Sequence, residues 1–129
     1  MRPSYVDQKE TKDVAVEIAT RLSKLRAESP VVLDMSGYSH ICNYFVICTA
    51  RSRIHQDGLR SEICEFMHDL QLDQERGLKR KKDGDAWLVL DFGDIVVHIM
   101  SDQVREFYEL ERLWFDAPRI DITESIPSA

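Results

Sequence analysis

The sequence predicts a single α/β domain, one mixed β-sheet flanked by helices, and three observations carry that prediction. Val14, Ile18, Leu22 and Leu25 recur at helical spacing. NYFVICTA (43–50) is a compact run rich in β-branched and aromatic residues between two helical patterns. WLVLDFGDIVVHIM (87–100) reads as two apolar strands hinged on Phe92-Gly93. Helices interleaved with short strands bury their apolar stripes most simply on a shared sheet. With 129 residues, the chain suits one hydrophobic core.

In chain order, residues 12–28 read as an amphipathic helix, which Pro30 forbids from continuing. VVLDMS (31–36) is a short strand, and Gly37 and Ser39 mark the turn to the strand at 43–50. From Ser52, the spacing of Ile54, Leu59, Ile63, Phe66, Met67 and Leu70 predicts a second helix, with Gly58 as its weak point. DQERGLKRKKDGD is polar loop with room for a short edge strand over 78–81. After the hairpin, Ser101 or Asp102 can cap a third helix, DQVREFYELERLW, whose stripe is Val104, Phe107, Leu110 and Trp114. Residues 116–129 read as an extended or disordered tail.

If Phe92-Gly93 is a two-residue turn, Asp91 opposes Asp94, Val89 opposes Val96 and Trp87 opposes His98. Alternation puts Leu88, Leu90, Ile95, Val97 and Ile99 on one face, the core. The other face carries Trp87, Val89, Asp91, Asp94, Val96 and His98. Its polar side chains invite a partner.

Composition narrows the class of function. The apolar runs fall short of the roughly 20 residues of a membrane-spanning helix, and the start, MRPSYVDQKETKD, lacks the apolar segment of a secretory signal. A cytoplasmic location is expected. Cys42, Cys48 and Cys64 lack the paired spacing of a zinc site and read as reduced core thiols. The net charge of −6 is lopsided: residues 83–129 hold 11 acids and 3 bases, whereas residues 1–82 hold 12 acids and 14 bases. An acidic second half disfavours a direct grip on nucleic acid and favours a basic protein partner.

Several local patterns admit two readings. Asp91 and Asp94 could form a metal-binding carboxylate pair, or could simply flank a turn in water. His98 could act as a general base, or could stack on Trp87 with its nitrogens satisfied. Arg51, Ser52, Arg53 and His55 stand where a strand meets a helix N-terminus, a place that can hold an anion, but none of the glycines of a phosphate loop is there. KRKK (79–82) reads as an edge-strand guard or a contact to nucleic acid. FYELERLW (107–114) reads equally as a core helix with a charged outer face and as an aromatic interface. In it, Tyr108 and Glu111 stand one position off the stripe, and Glu109 and Arg112 lie on the exposed side.

NYFVI (43–47), WLVLDFGDIVVHIM (87–100) and REFYELERLWFDA (105–117) together resemble the ribosomal silencing factor family, also called Iojap-like proteins, in order and spacing across residues 12–117. The resemblance implies a fold related to nucleotidyltransferases without their activity, and therefore a non-enzyme with no cofactor and no metal. In agreement, the Gly-Ser turn followed by Asp-x-Asp is missing, since Asp91 and Asp94 are three apart. Family members dimerise and bind a large-subunit ribosomal protein, L-fourteen, on the face that meets the small subunit, which keeps the subunits apart and represses translation. Carried onto this sequence, the positions that carry function are Trp87, Asp91, Gly93, Asp94, His98, Tyr108, Glu111 and Trp114, and the acid Glu109 joins Trp87, Asp91, Asp94, His98, Tyr108, Glu111 and Trp114 as an expected partner-binding residue. Trp87 and the aromatic third helix would be anchors, and the acids partners for Lys and Arg. Asn43 and Met100 depart from the pattern, in which Asp and an aromatic are frequent, and the KRKK run leaves room for a minor ribosomal RNA contact. The domain is expected over 1–117 with a flexible tail at 118–129. The alternative is a nucleotidyltransferase-like enzyme binding metal and nucleotide through Asp91 and Asp94.

Overall fold

The computed structural model describes residues 8–38, 42–72, 77–80, 86–113 and 116–122. Helix α1 (Gln8–Lys24) leads into strand β1 (Glu28–Asp34), strand β2 (Tyr44–Thr49) and helix α2 (Arg53–Asp69). Strands β3 (Gly77–Arg80), β4 (Trp87–Asp91) and β5 (Ile95–Met100) follow, then helices α3 (Asp102–Tyr108) and α4 (Leu110–Leu113) and a short strand β6 (Arg119–Ile120). The six strands form one sheet in the order β3-β4-β5-β2-β1-β6. Only β2 and β5 run parallel; the other neighbours are antiparallel. The mixed α/β sheet predicted from periodicity is the one observed.

Two cores lie on opposite faces of this sheet. On one, Ala15, Ile18, Ala19 and Leu22 of α1 and Leu59, Ile63 and Met67 of α2 pack over Val46, Leu88, Leu90, Val97 and Ile99. Burying each large aliphatic side chain stabilises the fold by roughly 1.5–3 kcal/mol. Arg21 ties the two helices together, donating to Glu17 at 3.0 Å and to Glu62 at 2.8 Å while lying 4.2 Å over the Phe66 ring. On the second face, Leu33, Met35, Cys42, Ile47, Trp87, Val89, Val96 and Met100 meet Val104 of α3 and Ala117.

The first helix ends at Lys24, four residues before the expected boundary, because the chain turns through Arg26 at φ 69 with the Ala27 N–H donating to the Leu22 carbonyl at 2.9 Å. Strand β1 can then begin ahead of Pro30. The proline, which has no N–H to give a ladder, sits where the β1–β2 register shifts between Glu28 and Val31. The edge strand expected near 78–81 is β3, at the sheet margin.

The hairpin register differs from the expected one. Asp91 opposes Val96, Val89 opposes His98 and Trp87 opposes Met100, a slip of two residues. The turn is Gly93-Asp94, closed by the Phe92 N–H donating to the Ile95 carbonyl at 2.9 Å. Gly93 takes φ 91, which suits glycine at the first position of a tight hairpin turn, and Asp91 Oδ1 accepts its N–H at 2.9 Å. A two-residue slip preserves alternation, so both face assignments survive. The tail also differs: Arg119–Ile120 pairs with β1 and Ile122 is buried, so the sheet extends past the boundary placed at 117.

Candidate functional site

The second face of the hairpin holds four of the residues singled out in the sequence, Trp87, Asp91, Asp94 and His98, and two of them, Trp87 and His98, are covered from within the chain rather than left open. Trp87 is 8% exposed and His98 7%. The Trp87 Nε1–H donates to His98 Nδ1 at 3.2 Å. The His98 ring meets Phe45 edge-on at 4.7 Å, and the Trp87 ring lies 4.8 Å from Tyr108. Tyr108 in turn meets Phe107 in a T-shaped contact at 4.9 Å. Five rings thus run in sequence from Phe45 over the sheet, through His98, Trp87 and Tyr108, to Phe107 at the surface. Such ring pairs prefer these tilted geometries and add to the stabilisation from burial alone.

Phe107 reverses its expected role. The sequence places it in the buried stripe of a continuous third helix, yet it is 78% exposed. The buried stripe of α3 is Val104 and half-buried Tyr108, at i and i+4. Ser101 caps α3, its hydroxyl accepting from the Val104 N–H at 3.2 Å. The helix then stops at Glu109, which takes a left-handed conformation (φ 46, ψ 53), and restarts as α4. The expected single helix over 102–114 is therefore two short ones set at an elbow.

Arg105 holds that elbow. Its Nε and Nη2 donate to the two carboxylate oxygens of Glu111 at 2.9 and 3.0 Å. Its Nη1 donates to Thr49 Oγ1 at 3.0 Å and to the Glu28 carbonyl at 3.3 Å, which reaches the ends of β2 and β1. The bonded Arg105 guanidinium lowers the Glu111 carboxyl from its ordinary value against the opposing effect of burial. Arg119 adds a contact to Glu111 at 3.8 Å. Nothing in the sequence singled out Arg105. Its partner is six residues away, a spacing that does not meet on a straight helix.

Asp94, Asp102, Glu106, Glu109 and Asp116 are exposed. Glu109 accepts from Arg112 Nη1 at 3.2 Å, an exposed i, i+3 pair. Asp91 is half-buried and serves the turn, and the register keeps it from opposing Asp94 as expected. The Asp94 backbone carbonyl accepts from the N–H groups of Asn43 and Tyr44 at 2.8 and 3.0 Å, joining the turn to β2. Trp114 lies outside the described residues. Among the described residues no three His, Cys, Asp or Glu side chains gather as a metal site.

The other candidates are used structurally. The Ser52 hydroxyl caps α2, accepting from the His55 N–H at 3.0 Å. His55 Nδ1 accepts from the Arg51 N–H at 3.0 Å, and its Nε2 bonds the Leu25 carbonyl at 2.8 Å, clasping the end of α1 to the start of α2. Beside them is a cavity of about 210 Å³ lined by Arg51, Ser52, Arg53 and Gln56. Lys79 and Arg80 stand on edge strand β3, while Lys81 and Lys82 lie outside the described residues.

Residues 8–129 match the family model described as ribosomal silencing factor during starvation. The chain is 39% identical over 101 residues to the ribosomal silencing factor RsfS of Bacillus subtilis, covering 75% of this chain and 80% of the relative. It is 32% identical over 102 residues to mouse mitochondrial assembly of ribosomal large subunit protein 1, covering 76% of this chain and 45% of that protein. A crystal structure of a Chromobacterium violaceum protein superposes with a TM-score of 0.72 at 24% identity, covering 84% of this chain and 87% of that one, and establishes likeness of fold.

Proposed function

The chain belongs to the ribosomal silencing factor family, and from that premise we propose that it binds the large ribosomal subunit through ribosomal protein L-fourteen, prevents the small subunit from joining and so represses translation. One observation carries this reading: an aromatic relay anchored in the sheet ends in an almost fully exposed Phe107, with the acids Asp102, Glu106, Glu109 and Asp116 in the same segment. An exposed aromatic ring among acids has the character of an interface anchor for a basic protein. The acids steer encounter and fix orientation, and the ring supplies the desolvated contact.

In this reading the partner-binding positions divide by depth. Phe107, Tyr108, Glu109 and Asp94 meet the partner, while Trp87 and His98 support them from beneath and Asp91 holds the turn that carries Asp94. Trp114 is kept as a partner-binding position on the family resemblance alone. No catalytic step is required, because a bound protein blocks the subunit interface by occupying it. A second copy completes a homodimer, and the basic run KRKK at 79–82 is the part of the sequence suited to a minor contact with ribosomal RNA phosphates. The protein acts in the cytoplasm, where it meets its ribosomes.

Sucrose-gradient sedimentation with isolated large subunits, followed by addition of small subunits, tests the proposal. The expected result is co-sedimentation with the large subunit and loss of the joined particle. Protein that stays at the top of the gradient at moderate salt would refute it.

A further inference from the structure

We propose that Arg105 and Glu111 are positioning residues for partner binding: their two-pronged ion pair locks the α3–α4 elbow in the one angle that presents Phe107 and Glu109 together. The inference rests on the reading that this surface docks on the ribosome, and it removes Glu111 from the residues that touch the partner.

The geometry separates a lock from a contact. Both carboxylate oxygens of Glu111 are engaged by Arg105, and the side chain is 21% exposed against 11% for Arg105. A carboxylate already held in a fork gains little from another Lys or Arg, and breaking the fork to reach a partner would leave a largely buried guanidinium without its counter-charge. Meanwhile Arg105 reaches past the elbow to Thr49 and to the Glu28 carbonyl. One side chain thereby ties four segments: α3, which bears it, α4, and the ends of β2 and β1.

The elbow itself needs such a device. Glu109 is a non-glycine residue in left-handed backbone at φ 46, a strained conformation that persists where its surroundings enforce it. Among the described residues the break is bridged by the Glu109 N–H donating to the Arg105 carbonyl at 2.9 Å and the Arg112 N–H donating to the Glu109 carbonyl at 2.8 Å. A helix of four residues cannot hold its own direction. The Arg105–Glu111 fork spans the break and supplies that direction. Pre-set geometry of this kind raises affinity by removing the ordering cost from the binding step.

The test combines Glu111→Gln and Arg105→Lys, each read by amide hydrogen exchange and by affinity for isolated large subunits over a salt series. Exchange at 109–113 is expected to rise about tenfold or more, with the β2 and β5 amides unchanged, the scale of losing a charge-assisted bond. Affinity is expected to fall by about tenfold, with the salt dependence as in wild type. A weaker salt dependence for Glu111→Gln would make Glu111 a direct contact and overturn the inference. Faster exchange with undiminished affinity would overturn it as well, as would faster exchange spread through the sheet, which marks a merely structural role. Wild-type protein that fails to bind large subunits would refute the docking reading instead, with the exchange result still reporting whether the lock exists.

Discussion

Trp87 and His98 bond across the diagonal of the β4–β5 hairpin, the indole N–H donating to Nδ1 at 3.2 Å although Trp87 opposes Met100 and His98 opposes Val89. Diagonal neighbours on one face of an antiparallel pair lie within reach of large rings. The bond requires an unprotonated Nδ1, so a neutral His98 carries its proton on Nε2. It also fixes the indole plane against which Tyr108 packs.

Trp87 should therefore act first on stability. Trp87→Ala is expected to destabilise by about 3–5 kcal/mol through lost packing in the second core. Trp87→Phe keeps a ring against Tyr108 and is expected to lose only about 1 kcal/mol, the worth of one net hydrogen bond. Urea melts of both variants measure the difference; equal losses would place the value of Trp87 in its N–H.

Phe107 is expected to behave in the opposite way. At 78% exposure its truncation to Ala should shift stability by no more than about 0.5 kcal/mol. Binding to large subunits should weaken by roughly 2 kcal/mol if the ring is an anchor. Unchanged co-sedimentation of a folded Phe107→Ala protein would remove it from the interface.

Glu111 sets a pH dependence with a definite sign. Its carboxyl is lowered in the folded chain, first by the hydrogen bonds from Arg105. The stabilisation is fully present above the ordinary Glu value and is lost as pH falls through the folded one. Wild type should exceed Glu111→Gln in stability by about 1 kcal/mol near neutral pH, allowing for partial exposure of the pair. The gap should close on acidification. A gap that stays constant to acid pH would mean that the charge of Glu111 contributes nothing.

Thiol chemistry should rank the three cysteines. Burial pushes the Cys48 thiol up to about 12, against a lowering effect of Arg105, and Cys42 is also buried, whereas Cys64 is half-buried. Iodoacetamide at mildly alkaline pH should label Cys64 first and Cys48 only on unfolding, because the thiolate is the nucleophile. Peptide mapping of the native protein reads the order, and early labelling at Cys48 would contradict its burial.

The turn offers a clean backbone test. A Cβ at Gly93 would meet nothing within 4 Å, so Gly93→Ala is expected to lose about 1 kcal/mol purely from its φ of 91. A loss several times larger would point to rearranged hairpin register rather than local strain.

The sequence alone determined the first two helices, the strands from β1 to β5 and which side chains share a face along the hairpin. Apolar periods of 3.6 and 2 are local properties, and the face of a strand survives a register slip of two residues, so Leu88, Leu90, Val97 and Ile99 were legible as core from alternation. The resemblance of residues 43–47, 87–100 and 105–117 to a known family was legible for the same reason, since a motif is a string. Tertiary structure decided what depends on contacts distant along the chain. The hairpin register followed the residue that could take a positive φ, and a glycine can occupy more than one position of a turn. The break at Glu109 removed the assumption of one straight helix, on which residues six apart stand roughly 240° around the axis and cannot meet. Only the folded chain, with Thr49 and the Glu28 carbonyl holding Arg105 in place, brings Glu111 to its guanidinium and turns Phe107 outward.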